Sequence, residues 1–479
     1  MMTDNWTNRA GGDFNSVLNW SAGIPDDSTA AQITANGTYT VTSSSHNGVA
    51  TLEMAKHATL AVNSSNFLIL LGSGPGGLAG TIDVNANTYL LLGQMGESTT
   101  FANSGAINDS AEMEVVQTVT LTGKGKIVLA GNNSEIVAYP GINSGLTNGT
   151  ATSGNTISGY GVIGDQTDSF LSFSNDPKGV VNANNGAGLL KIDTDGGAVT
   201  NAGLMEASND GLLSLYGIMT QTGKGQIKAA TSGAAVILDN ATVDGGLIST
   251  VKGSKLEGYG GPSVIDTTTT INNAGTIFAD GSGITITGSV KNAGTGRFDA
   301  DGSFIVVDGT VTKGQAEIDN GGQIAFEGAS SANVTIFAGS TLFLGSSGKF
   351  TGTVAGMATA GTGIDLSIPF ADDPTVNFNA TKHLLTVADP VSGVTYNIKI
   401  VGTGTFTKSP GLLGSTLITD PPANPASIPA GSDQLLVQSM AAFGAAADGG
   451  STGGAADAPA GGSWNSGGSS DFLATSHHG

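Results

Sequence analysis

Apolar and polar residues alternate along this chain in very short runs. In Gly283-Ile284-Thr285-Ile286-Thr287 the two isoleucines point one way and the two threonines the other. Ile305 and Val307 repeat that spacing, as do Leu213 and Leu215. Each run is bounded by Gly, Asn or Asp, which turns the chain after four to six residues.

The runs also recur. Asn273-Ala274-Gly275 returns as Asn292-Ala293-Gly294, Asn201-Ala202-Gly203 opens a related phrase, and Asn103-Ser104-Gly105 a looser one. Brief strands and turns repeating every ~18–21 residues predict coils of a β-solenoid. Successive coils would stack Ile284 on Ile305 and Ile286 on Val307, with each buried aliphatic side chain contributing roughly 1.5–3 kcal/mol. Asn at a recurring corner would bond to its counterparts above and below. A longer echo joins Thr122-Gly123-Lys124-Gly125 to Thr222-Gly223-Lys224-Gly225, and Ser158-Gly159-Tyr160-Gly161 to Glu257-Gly258-Tyr259-Gly260, which suggests duplication of a block of about five coils.

These patterns divide the chain. Residues 35–348 read as solenoid repeats; extended over 35–360 they hold some sixteen coils, a rod of roughly 75 Å at one strand spacing per coil. Residues 1–34 read as an N-terminal cap, in which Trp6, Phe14 and Trp20 cover the first coil or dock on a neighbouring copy. Residues 349–417 read as a closing β unit, with strand patterns at 383–387 and 394–400. A linker at 418–431 carries Pro421, Pro422, Pro425 and Pro429. In 432–479, Ser432 caps a short helix with Leu436, Met440 and Phe443 on one face, and a flexible Gly/Ser-rich tail follows.

Composition agrees with this reading. Glycine supplies 75 of 479 residues and charged residues only 11%, against ordinary shares of about 7% and 25%. The net charge of −21 makes nucleic acid and anionic membranes poor partners. Cysteine is absent, so no disulfide framework exists. No apolar stretch is long enough for a membrane span, and the opening MMTDNWTNRAGGDF lacks the basic and apolar regions of a signal peptide.

Reactive chemistry is sparse. The five histidines have no metal-ligand spacing, and Gly72-Ser73-Gly74-Pro75-Gly76-Gly77 lacks the lysine of a phosphate loop. Asp193-Thr194-Asp195-Gly196 and Asp299-Ala300-Asp301-Gly302 match the start of a calcium loop without its later glutamate. Asp before Gly is also ordinary turn chemistry, so these four aspartates read as turns and calcium is the one cofactor candidate. An enzymatic site would draw on Asp239, Asp244, Asp266, Asp280, Asp299 and Asp308, with Tyr160 and Tyr259 as aromatic platforms.

Three segments carry a family resemblance. WTNRAGGDFNSVLNWSAGIPDDSTAAQI resembles the opening of large alphaproteobacterial, rhizobial-type surface proteins with autotransporter-passenger-like repeats. FTGTVAGMATAGTGIDLSI resembles the unit that closes such repeats, and DQLLVQSMAAFGA with DFLATSHHG resembles their C-terminus. The resemblance implies a right-handed parallel β-helix outside a bacterium. The chain departs from autotransporters in leaving no room for a membrane barrel after residue 407 and lacks calcium-binding nonapeptide repeats, and the expectation that suits both is one-step export by a C-terminal signal that includes Leu436, Met440, Phe443, Phe472 and Leu473. The expectation is a structural or adhesive surface rod, not an enzyme. Its partners would be surface glycans or its own copies end to end, as in a filament or matrix. The alternatives are a polysaccharide lyase or hydrolase, and a phage-type receptor-binding spike.

Overall fold

The computed structural model describes residues 1–420 apart from 64–65, 165–168 and 346–348. The chain divides into two compact units, Met1–Leu436 and Val437–Gly479, and every described residue belongs to the first. That unit is an all-β solenoid of about 15 turns built from stacked parallel strands. The helix expected after Ser432 and the five export-signal residues lie outside the described residues.

Each coil contributes one strand to each of three faces. In one coil Leu247–Thr250 lies on face A, Lys255–Tyr259 on face B and Ser263–Ile265 on face C. The next coil follows with Thr270–Asn273, Thr276–Asp280 and Ile284–Ile286, each pairing in parallel with its predecessor. Alternation decides what lies inside. On face C, Ile284, Ile305, Ile324, Leu342 and Ile364 form one in-register column, and all five are fully buried. Ile286 stacks on Val307, as the spacing predicts.

Asparagines bond from coil to coil at two of the corners. At the C–A corner Asn148 donates to Asn175 and Asn175 to Asn201, both at 2.9 Å. At the A–B corner Asn273 accepts from the Thr250 hydroxyl and donates to Asn292 at 2.8 Å and to the Arg297 carbonyl at 3.0 Å. The Asn-Ala-Gly phrase therefore marks one corner at 201 and another at 273 and 292. The Thr-Gly-Lys-Gly echo joins equivalent C–A corners four coils apart, not five (face-A strands at 126–129, 156–159, 180–183, 204–207 and 226–229). Tyr160 and Tyr259 are not equivalent, since the first stands at an A–B corner and the second at a B–C corner.

The first residues are already coil. Met2–Asn5 pairs in parallel with Thr29–Ile33, and Gly12–Asp13 with Tyr39–Ser43. Residues 19–22 then fold back along the outer edge of that first strand. Ser21 N donates to Asn5 O, Thr7 N to Asn19 O, and Trp6 bridges Trp20 in antiparallel sense. Trp6, Phe14 and Trp20 are buried in their own chain, with edge-to-face ring centroids 5.1 Å apart for Trp6–Trp20 and 5.0 Å for Phe14–Trp20. Phe14 meets Phe67 at 5.3 Å.

At the other end the coil strands continue through Thr353–Ala355 and Gly363–Leu366. An antiparallel sheet follows, Thr375–Asn379, Leu384–Ala388 and Thr395–Ile400. Thr416–Thr419 lies antiparallel on Gly363–Leu366. The Tyr396 hydroxyl reaches back to the Gly345 carbonyl at 2.5 Å.

One inward position breaks the aliphatic rule. Asp109 stands in register between Val84 and Leu129 and is fully buried. One carboxylate oxygen accepts from Ala111 N at 3.2 Å, and the other has no hydrogen-bond partner. Burial pushes this carboxyl up to about 7, helped by Glu112 and Glu135.

Two predictions follow from the corners and the core. Asn273→Ala leaves several buried polar groups unpaired and should cost about 2–3 kcal/mol in urea unfolding. The same change at its exposed neighbour Asn272 should cost under about 0.5 kcal/mol. For Asp109, the unfolded chain loses its proton near the ordinary value of 3.8 and the folded chain near 7. The folded state thus binds more protons within that window, so rising pH removes stability up to about pH 7. The loss is of order 4 kcal/mol. Asp109→Asn should flatten this slope between pH 4 and pH 7 and be more stable than wild type at pH 8. Equal slopes would show that Asp109 ionises normally.

Candidate functional site at the B–C corner

The B–C corner changes shape between adjacent coils. In one coil Asp193–Gly197 forms a wide turn: Asp195 and Gly196 take left-handed backbone angles of 47° and 91°, and Gly197 N donates to Thr194 O at 2.9 Å. In the next coil the strand Leu212–Gln221 runs straight through the corner, pivoting at Gly217 with φ of 76°. In the third, Asn240 is an extra residue with φ of 49°, so Tyr216 faces Asp239 while Gly217 faces Ala241. A wide turn beside tight ones leaves a cleft of about 410 Å³, lined by Asp193, Asp195, Val199, Tyr216, Ile218 and Thr220 among others.

Polar groups organise its floor. Lys191 Nζ pairs with Asp193 at 2.7 Å and lies 5.8 Å from the centre of the Tyr216 ring. Tyr216 is 39% exposed and Ile218 68%, because Leu213 and Leu215 take the inward positions of the same strand. The outward column then runs Tyr216, Asp239, Tyr259 in direct register, and Tyr259 is 46% exposed. In the next coils Asp280, Asp301 and Asp319 are in register with one another, Asp280 standing one residue past Ala279, which pairs with Gly258. Gly260 has φ of 69°, and a Cβ there would collide with the Asp239 carboxylate.

Burial and neighbours shape these acids. Asp239 is raised above the ordinary carboxylate range by burial, with Lys191 pulling down and Asp193 pushing up. Glu257, beside the column, is raised by burial against the pull of Lys255, which itself lies 4.2 Å over the Phe278 ring. Asp319 is raised by burial and by Asp301, Asp299 and Glu317, with Arg297 opposing.

Of the four aspartates read as turns only Asp195 is in one, since Asp193 ends the strand Leu189–Asp193 and Asp299 and Asp301 lie in the strand Arg297–Asp301; they share this side of the rod but not one cage. Asp193 is held by Lys191, Asp299 by Arg297 at 2.6 Å, and Asp301 by the Asn320 amide at 2.5 Å. Among the described residues no group of three or more His, Asp or Glu is placed to hold a metal ion.

The six lateral aspartates separate. Asp239, Asp280 and Asp299 stay on this side. Asp244 and Asp266 meet at the C–A corner, where Thr268 donates to both, at 2.9 and 3.0 Å. Asp308 faces Glu327, whose carboxyl is pushed up to about 7 by burial and by Asp308. Tyr160 packs on Gly188 at another corner.

A second acidic group lay unread in the sequence. Glu112 and Glu114 both point outward on the strand Glu112–Val115, with Tyr89 in register beside Glu112. Glu114 is 7% exposed and is pushed up to about 7 by burial and by Glu112. Its signal was present as two acids spaced by two in an otherwise apolar strand.

No family model matches the chain, and no curated protein matches it in sequence.

Proposed function

We propose that this protein is an adhesive rod of the bacterial surface that holds glycans along its B–C corner. The observation that carries the reading is the column Tyr216–Asp239–Tyr259, in which two half-exposed rings flank a carboxylate beside an open cleft. An aromatic face packs against the apolar face of a sugar ring, while a carboxylate accepts hydrogen bonds from its hydroxyls. A rigid sheet holds these groups in place before a ligand arrives, which lowers the entropy lost on binding.

Adhesion on this reading is lateral. The aromatics of the first coil are packed within their own chain, so they support a single capped rod better than an end-to-end fibre. The acidic, cysteine-free composition suits life outside the cell, where the resemblance of both termini also points.

The test uses the full chain on glycan-coated surfaces. Replacing both rings (Tyr216→Ala with Tyr259→Ala) should weaken attachment at least about tenfold, roughly 1.4 kcal/mol, with an unchanged unfolding midpoint. Attachment equal to wild type would overturn the reading. Release of reducing ends from the same glycans, lost in Asp239→Asn, would replace adhesion with hydrolysis.

A further inference from the structure

The geometry points to a ligand class for the corner column: a linear, extended polymer of amino-bearing hexoses, lying parallel to the rod axis. This inference rests on the adhesive reading and sharpens it.

Spacing is the first argument. Successive residues of the column sit in adjacent β layers, about 4.8 Å apart, so Tyr216 and Tyr259, two layers apart, lie roughly 9.6 Å from one another. A hexose in an extended chain advances by about one such layer, roughly 5 Å. Alternate sugars of a ribbon-like chain turn the same face to one side. Two rings separated by two layers can therefore stack on sugars i and i+2, and the sugar between them faces Asp239.

Charge is the second argument. Beyond Tyr259 stand Asp280, Asp301 and Asp319, in register with one another. Like charges directly opposed on neighbouring strands are destabilising, and this stretch keeps them in three successive layers. The nearby bases make their ion pairs with other acids, Lys191 with Asp193 at 2.7 Å and Arg297 with Asp299 and Glu317 at 2.6 and 2.8 Å, and reach Asp239 and Asp319 only at longer range. Asp239 and Asp280 make no ion pair among the described residues. A polyanionic glycan would meet repulsion along this row. A chain with one ammonium per hexose would carry positive charge along this row, turning every second ammonium toward the carboxylates.

Aromatic faces also attract cations held close to them; Tyr216 already has Lys191 over its ring, so Tyr259 is the ring that favours an amine. Stacking and charge thus select sugar and amine together.

The experiment titrates full-length protein with four hexamers: de-N-acetylated β-1,4-glucosamine, its N-acetylated form, the neutral β-1,4-glucose hexamer, and hexalysine. The de-N-acetylated hexamer should bind at least tenfold tighter than the other three. Its affinity should fall about tenfold in Asp239→Asn with Asp280→Asn, and about tenfold in Tyr216→Ala with Tyr259→Ala. All variants change exposed or half-exposed groups, and an unchanged unfolding midpoint checks their folding. Equal binding of the acetylated or neutral hexamer would overturn the amine assignment while leaving adhesion standing. Hexalysine binding as tightly through the same residues would overturn the sugar assignment. No binding by any hexamer, with the tyrosine variant attaching to glycan surfaces as well as wild type, would overturn both readings.

Discussion

Everything in this molecule follows from parallel strands stacking in register. Each backbone group of a strand is paired with the coil above and the coil below, so a residue's neighbours are fixed by its column as much as by its position in the chain. Columns facing inward are then mostly apolar, as Ile284, Ile305, Ile324, Leu342 and Ile364 are, with Asp109 the buried carboxyl that departs from the rule. Corners must turn the chain and still satisfy their polar groups, which the asparagines at two of the corners do. The outward columns obey the same register, and that is why side chains far apart in sequence become stripes on the surface.

The strands and their ladders were legible because a period of two and a repeat near twenty residues are local signals. Ile284 over Ile305 could be read directly from spacing. Which corner a turn occupies was less legible, since Asn-Ala-Gly serves the C–A corner at 201 and the A–B corner at 273. The glycine of this phrase is required by close approach, since a Cβ at Gly203 or Gly275 would meet carbonyl oxygens of the preceding coil at 2.4 and 2.3 Å, and either corner can make that demand. The same ambiguity made Tyr160 and Tyr259 look equivalent, although the flanking glycines turn different corners.

The cleft was less legible still. It arises from a mismatch among three successive corners: the five-residue turn at 193–197, the pivot at Gly217 and the extra Asn240. Each is unremarkable alone, and only their stacking leaves a gap. Tyr216, which lines it, escaped the sequence reading because it follows an ordinary Leu-Ser-Leu run. Glu114 and Asp109 escaped for a related reason: alternation predicts which way they point but not how deeply their surroundings bury them.

The fold-back of residues 19–22 over the first strand has a meaning for the edge of the sheet. An open solenoid end is a template on which another chain can continue the sheet. Here Ser21, Trp20 and Asn19 occupy that template over residues 5–7. That edge is therefore taken by the chain's own residues. The solenoid behaves as a ruler, presenting its outward-facing groups at intervals fixed by the strand spacing.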